Sequence, residues 1–332
     1  MSRFAKAVTY TLLSLWTLVC CIPIYWVAIT SLKSVENIDN PPGYFPFADY
    51  MPSLESWRFI LFDQSESLVT RFFNSAVIGG AATVLTVIVS GMAIYGLTRF
   101  PPAIRWAAVT CAAVAAGCAM AGISVSGGLL QVGLFAGAIA TLLLAYGLRS
   151  RGPAMSASTM ITLMLATRIL PPIIMVIPLY MLAIATGSRD THAAMIFVYT
   201  AINVPVAVWL LLPVLGPRAT EQEEAAQLDG ASHFSIFFTI LLPMVKAGVA
   251  ATGLIVFLMC WNEYLFAVYL TADHALTLPP WAVGQLSMKE AQVGGEAEEW
   301  AHLSAATILM MIPALAFGAY VQKHLSRSVF GR

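Results

Sequence analysis

Charge is what this sequence has least of. Only 10% of its 332 residues are Asp, Glu, Lys or Arg, and 17 basic residues cancel 17 acidic ones. A soluble domain carries roughly a quarter charged residues. Here 59% of residues are hydrophobic and the mean hydropathy is +0.80. A soluble core cannot absorb that much apolar surface, so lipid is its natural solvent. A net charge of zero gives no reason to expect nucleic acid as a partner. Cysteine is sparse too. Cys20, Cys21, Cys111, Cys118 and Cys260 fall in apolar runs without metal-ligand spacing, which reads as buried thiols and not as a disulfide framework. The histidines (His192, His233, His274, His302 and His324) are scattered, which argues against a membrane-embedded enzyme with clustered catalytic groups. There is no Walker A loop, no GxSxG and no HExxH, so ATP that energised this chain would have to bind elsewhere. Solenoid repeats and low-complexity tracts are missing. So are the inverted repeats with matching broken helices that an ion-coupled secondary transporter would show.

Long apolar runs fill the remainder. The first, Ala7–Leu32, has 26 residues and contains Trp16 and Trp26. It is too long for the apolar region of a signal peptide and reads as a retained span. Eight segments meet the length of a transmembrane helix: 8–32, 73–97, 106–123, 129–148, 156–186, 191–215, 244–270 and 301–322. The third is short and rich in Ala and Gly, so a crossing and a re-entrant segment both remain open. With a cytoplasmic N-terminus and eight crossings, eleven Lys and Arg residues fall inside and five outside. That asymmetry favours cytoplasmic N- and C-termini. Residues 33–72 and 271–300 then form outer loops. They read as a docking surface or as plain solvated loops, and the second carries Glu290, Glu296, Glu298 and Glu299. Residues 216–243 form the one long cytoplasmic loop. Ala219–Asp229 suits a helix with Pro217 before it and Gly230 after it, and a second short helix from about Ser232 is expected to stop at Pro243.

The cytoplasmic loop reads EEAAQLDGASHFSIFFTILLPMVKAG from Glu223. Glu224-Ala225-Ala226, then Gly230, then Ile240-x-Leu242-Pro243 resembles the EAA loop of binding-protein-dependent ABC importer permeases. The runs TSLKSVENIDNPPGYFPF (30–47), PPIIMVIPLY (171–180), AINVPVAVWLL (201–211) and NEYLFAVYLT (262–271) resemble the MalG-type carbohydrate branch. The likeness covers roughly 1–100 and 154–322. It implies an all-α membrane protein with the type I importer fold, a single permease domain over 1–332. It also implies a MalF-type second permease, two ATP-binding subunits that hold ATP and Mg, an extracytoplasmic solute-binding protein and a bacterial inner-membrane location. No cofactor is expected on this chain itself. The cargo implied is a sugar or polyol, with glycerol phosphates as an alternative.

In the family the loop couples the permease to its ATPase. Glu223, Glu224, Ala225, Ala226, Asp229, Gly230, Ile240, Leu242 and Pro243 are therefore the candidate coupling residues. The residue types fit that role. Ala225 and Ala226 permit close approach, and Gly230 permits a left-handed turn. Glu223, Glu224 and Asp229 can pair with basic groups of a partner, and Pro243 sets the knob at an angle. An amphipathic helix lying on the membrane would carry Lys and Arg in place of these acids. The chain departs from the family's six-span core at 101–153, an inserted two-span hairpin with Gly133 and Gly137 at GxxxG spacing and no charge between Arg105 and Arg149. Close packing as a shield and a partner-binding role both suit it. Its tail, HLSRSVFGR, is also unlike the Gly-rich end common in the family.

Within the spans, Arg168 and Glu263 are too costly to face lipid. They read either as groups lining the solute path or a gate, or as a structural ion pair. Pro171, Pro172, Pro178 and Pro205 interrupt spans and can expose carbonyls, although such kinks are also ordinary packing features. Asn203, Trp261, Asn262 and Tyr264 complete the candidate path, since aromatics and amides suit a sugar.

Overall fold

The computed structural model describes residues 3–34, 37–38, 43–99, 156–215, 220–284 and 296–330. The expected spans 106–123 and 129–148, the inserted hairpin 101–153, Pro217 and Glu290 lie outside these residues. So do the side chains of Glu296, Glu298, Glu299 and the C-terminal tail. Among the described residues every regular element is helical. The helices are α1 (Arg3–Thr30), α2 (Glu55–Arg58, running into a π-helical turn), α3 (Ser65–Arg99), α4 (Ala157–Ile169) and α5 (Pro172–Ala185). Then come α6 (His192–Leu215), α7 (Thr220–Leu228), α8 (His233–Met244) and α9 (Lys246–Trp261). The last are α10 (Leu265–Leu270), α11 (Leu278–Gly284) and α12 (Glu296–Phe330). Four helices are long and apolar enough to cross a membrane: α1, α3, α6 and the Trp300–Ala319 part of α12. Counting the bent pairs α4–α5 and α8–α9 as one span each raises this to six.

Two expected spans differ in shape from plain helices. The segment 156–186 turns by 89° between α4 and α5. Leu170 and Pro171 are extended there, because the residue before a proline is pushed out of the helical region. Pro172 then opens α5, where its missing N–H costs nothing. Pro178, Pro205 and Pro213, in contrast, sit inside continuing helices. The segment 244–270 is two helices, α9 and α10, with Asn262–Tyr264 between them.

The chain divides into two compact units, residues 1–73 with 277–332 and residues 74–276. In the first, α12 packs beside α1 and α2, and Phe59 stacks on His302 with ring centroids 4.2 Å apart. Tyr50 donates its hydroxyl to the Ile29 carbonyl (3.1 Å), and Ser53 N–H to that of Leu32 (2.7 Å). These bonds close the polypeptide back onto the end of α1. Almost none of α1 is buried within the chain. Cys20 and Cys21 are exposed on it, and of the three described cysteines only Cys260 is a buried thiol.

The second unit holds two apolar clusters. One gathers Ile78, Val176, Tyr199, Val256 and Phe266, and the other Ile94, Val208, Leu211, Phe237 and Leu241. The helices α6 and α9 meet at Gly248, where a Cβ would come within 2.6 Å of Val214 Cγ1. Only a residue without a side chain allows that approach.

One loop of this unit is pinned by a carboxylate. Asp190, in a left-handed conformation (φ 62°), accepts N–H bonds from Ala272, Asp273, His274 and Ala275 at 2.9–3.0 Å. Asn74 Nδ2 donates to the His274 and Leu276 carbonyls, and its Oδ1 accepts from His192 Nε2 (2.9 Å). Burial works to raise the Asp190 pKa, but the four N–H donors outweigh it and hold the group at about 2. A folded-state pKa below the unfolded value of 3.8 gives stability that is complete above the unfolded pKa and lost as pH falls towards 2. Asp190→Ala should cost about 2 kcal/mol, the scale of hydrogen bonds to a charged group. Asp190→Asn should also flatten the acid limb of a melting-temperature profile recorded in detergent. An unchanged acid limb would show that the carboxylate is not the pin.

Candidate functional site

The loop after α6 folds as two helices joined by a tight turn. Ala231 N–H bonds to the Ala226 carbonyl (2.9 Å) and Gly230 N–H to that of Gln227 (3.0 Å). With Gly230 at φ 82°, this is the double bond pattern of a Schellman helix end, which places glycine in the left-handed position. Ser232 caps α8 by accepting from Ser235 N–H (3.2 Å). Pro243 does not stop this helix. Ile236–Leu241 widens to a π-helix ahead of it, relieving the clash between the ring and the carbonyl four residues back. The helix continues to Met244 and breaks at Val245, and α9 leaves at 87° to α8.

Both short helices are held by the end of α3. Arg99 Nε reaches Glu223 Oε2 at 2.7 Å and Nη2 reaches Oε1 at 2.9 Å, a bidentate ion pair. Tyr95, one turn earlier, shares a hydrogen bond of 3.1 Å with His233 Nδ1 and sets its ring edge-on to Phe237. Glu223 is therefore not offered to another protein. It is 2% exposed and pairs within its own chain, which corrects the expectation that Glu223 pairs with a basic group of a partner. Glu224, Ala225, Asp229, Gly230 and Pro243 are exposed, while Ala226, Ile240 and Leu242 are half-buried. Two large apolar side chains also stand in the open, Leu228 at 90% and Phe234 at 65% exposure.

The intramembrane candidates form a looser set. Arg168 Nη2 donates to Asn203 Oδ1 (3.4 Å), and Asn203 Nδ2 donates to the Tyr199 carbonyl (2.8 Å) and Cys260 Sγ (3.3 Å). Glu263 is not deep in a continuous helix. It lies in the Asn262–Tyr264 interruption, and its Oε1 accepts the Phe266 N–H (2.7 Å) at the start of α10. Among the described residues Arg168 and Glu263 make no direct ion pair, so of the two readings the structural ion pair is not formed. Their charges act on each other only at longer range, and each has its hydrogen bond with a different neighbour. Trp261 is 2% exposed and packs on Phe257, which removes it from a cavity wall. Asn203 and Pro205 are buried, whereas Asn262, Tyr264, Pro171 and Pro172 are exposed and Arg168 and Pro178 half-buried.

A model of the family described as "Binding-protein-dependent transport system inner membrane component" matches residues 133–331, which include this two-helix loop. The chain belongs to that family. The match begins inside the 101–153 stretch that the sequence sets apart. The permease is 26% identical to a probable ABC transporter permease protein of Sinorhizobium fredii, over 94% of this chain and 91% of the relative. It is 23% identical to the trehalose/maltose transport system permease protein MalG of Thermococcus litoralis, over 94% and 90%. A melibiose/raffinose/stachyose import permease protein of Bacillus subtilis is 34% identical over 49% of this permease and 57% of the relative. In a crystal structure of a bacterial ABC transporter that imports alginate, one chain superposes with a TM-score of 0.61 at 17% identity, covering 97% of this permease and 98% of that chain. That likeness shows the fold.

Sequence reading missed Arg99, Tyr95 and His233 as parts of the site. Arg99 is one of the eleven Lys and Arg residues that the sequence puts inside, and enters there only as a topological charge. Its spacing from Tyr95 is the readable signal, because residues four apart share a helix face. Removing one partner of a buried ion pair strands the other, at a cost of about 3–5 kcal/mol. Arg99→Ala strands the buried Glu223 carboxylate and should destabilise the permease on that scale. Glu223→Ala should cost less, because Arg99 is only half-buried, and the double variant should cost less than the two singles together. Denaturant unfolding in detergent, read as a double-mutant cycle, gives the coupling. Additive effects would mean that the pair does not anchor the loop.

Proposed function

We propose that this permease imports a sugar or related polyol. An extracytoplasmic solute-binding protein delivers the solute, and the permease passes it across the inner membrane by alternating access. A second permease chain pairs with it, and two partner subunits bind ATP and Mg and supply the energy. The termini lie in the cytoplasm, and the inserted segment 101–153 adds two spans to a six-span core. The observation that carries the reading is the knob of α7 and α8. It combines a charged face (Glu224, Asp229) with exposed apolar side chains (Leu228, Phe234), and a buried ion pair fastens it to the end of a membrane span. Such a surface suits a protein partner better than headgroups, because α7 and α8 carry no Lys or Arg to meet them. With the knob seated on an ATPase subunit, movement of that subunit acts on α3 through Arg99 and on α9 through the bend at Val245.

The cargo class is supported by the relatives, whose names specify trehalose/maltose, diacetylchitobiose and melibiose/raffinose/stachyose import. Arg168, Glu263 and Tyr264 are the path residues this reading assigns, with the buried Asn203 holding Arg168 in place. They offer donors, acceptors and one aromatic face to a hydroxyl-rich solute.

Gly230→Pro forces φ to a negative value and removes the N–H that closes the turn. Glu224→Lys reverses the exposed charge of the knob. Either variant of the reconstituted importer should insert normally yet lose solute-stimulated ATP hydrolysis. Stimulation that persisted in both would refute the assignment of the knob.

A further inference from the structure

A cavity of about 410 Å³ opens between the end of α1 and the first turns of the membrane-crossing part of α12. Its walls include Trp26, Thr30, Lys33, Trp300, Ser304 and Thr307. That volume is in the range of small-molecule sites and holds far more than a single ion or water.

Lys33 is the unexplained group. It is only 5% exposed. Its ammonium stands 5.7 Å from the centre of the Trp26 ring and 5.2 Å from that of Tyr50. Among the described residues, no oxygen lies within hydrogen-bond reach of that ammonium. Asp49 is the acid that acts on it, but the two make no hydrogen bond, and Asp49 Oδ2 is held by the Tyr44 and Phe45 N–H groups at 2.7 and 2.9 Å. Burial lowers the Lys33 pKa, and Asp49 offsets this only in part. A buried ammonium with three unused donors calls for an anion. The nearby hydroxyls complete the picture. Thr30 and Ser304 each give their proton to a backbone carbonyl of their own helix, at 2.8 and 2.7 Å. They therefore face the cavity as acceptors, suited to hydroxyl donors on a ligand.

Position decides the source of the anion. The cavity lies where two apolar helices end, and Trp26 and Trp300 sit half in the open there, as tryptophans do at a lipid interface. Within this chain α1 is exposed on all its faces from its start to Trp26, and on the side of Trp26 it presents the apolar residues Ile22, Val19, Leu18 and Leu15. It provides a track for acyl chains. We infer that this cavity binds the glycerol-phosphate headgroup of an anionic phospholipid, with the Lys33 ammonium on the phosphate and the Thr30 and Ser304 oxygens on the headgroup hydroxyls.

The test is retention of lipid by the full-length permease in its purified membrane assembly. Native mass spectrometry would follow exchange against phosphatidylglycerol, phosphatidylcholine, or soluble glycerol 3-phosphate and glucuronate. Wild type should retain phosphatidylglycerol over phosphatidylcholine. Lys33→Met should weaken that retention about tenfold, as expected for one charge-assisted hydrogen bond, and Lys33→Arg should restore it. Thr307→Phe fills the cavity from α12 and leaves Lys33 in place, so it should also displace the lipid and guards against a folding defect in the lysine variant. Equal retention of both lipids, or retention untouched by Lys33→Met and Thr307→Phe, overturns the inference. Binding of a soluble anion with no lipid preference overturns the lipid source.

Discussion

The bidentate pair between Arg99 and Glu223 is the contact on which the two-helix loop of this permease depends. An ion pair taken out of water recovers its desolvation cost only when the geometry is good and both oxygens are used. Here Nε and Nη2 each engage one oxygen of a carboxylate that is almost wholly buried. Such a pair adds little net stability over a well-packed apolar substitute, but it permits one arrangement and penalises others. It fixes where α7 sits on the last turn of α3, and Tyr95 fixes α8 a turn away. A short helix that is marginal alone thereby becomes part of a membrane span, which is what a mechanical joint needs.

The same economy governs the breaks in the spans. In a bilayer every backbone group must find a partner within the protein. The chain therefore interrupts its helices only where a local substitute exists. Pro172 opens α5 without an N–H to satisfy, and Glu263 supplies an oxygen to the start of α10. The π-turn before Pro243 takes up a proline without ending α8. Pro178 and Pro205 show the other outcome: one proline inside a packed helix can be carried through. At the loop beyond α10, Asp190 gives four amides a common acceptor, the work that water would do in an unpinned loop.

Much of the candidate site was legible before any coordinates. The left-handed residue of the knob could be placed at Gly230 because a short helix followed by glycine has few other ways to end. The family could be recognised because its loop keeps residue types in register over 20 positions. Trp261 and Glu263 were placed less well. A tryptophan near a helix end serves a cavity wall and a core equally, and only packing against Phe257 distinguishes them. Glu263 looked deeply embedded because the apolar run around it is unbroken in composition, although the helix is not.

By itself the sequence determined the solvent of this protein, its helical class, its family and the turn of its knob. Each of these follows from composition or from spacing within one helix or one turn, where the controlling forces are local. The tertiary structure alone decided which acid of the loop faces inward, which prolines break their helices, and that Lys33 ends among aromatic rings beside an open cavity. Those outcomes depend on groups more than a hundred residues apart, as with Arg99 and Glu223, or on how separate helices pack. An ion pair of that range has no periodicity to announce it.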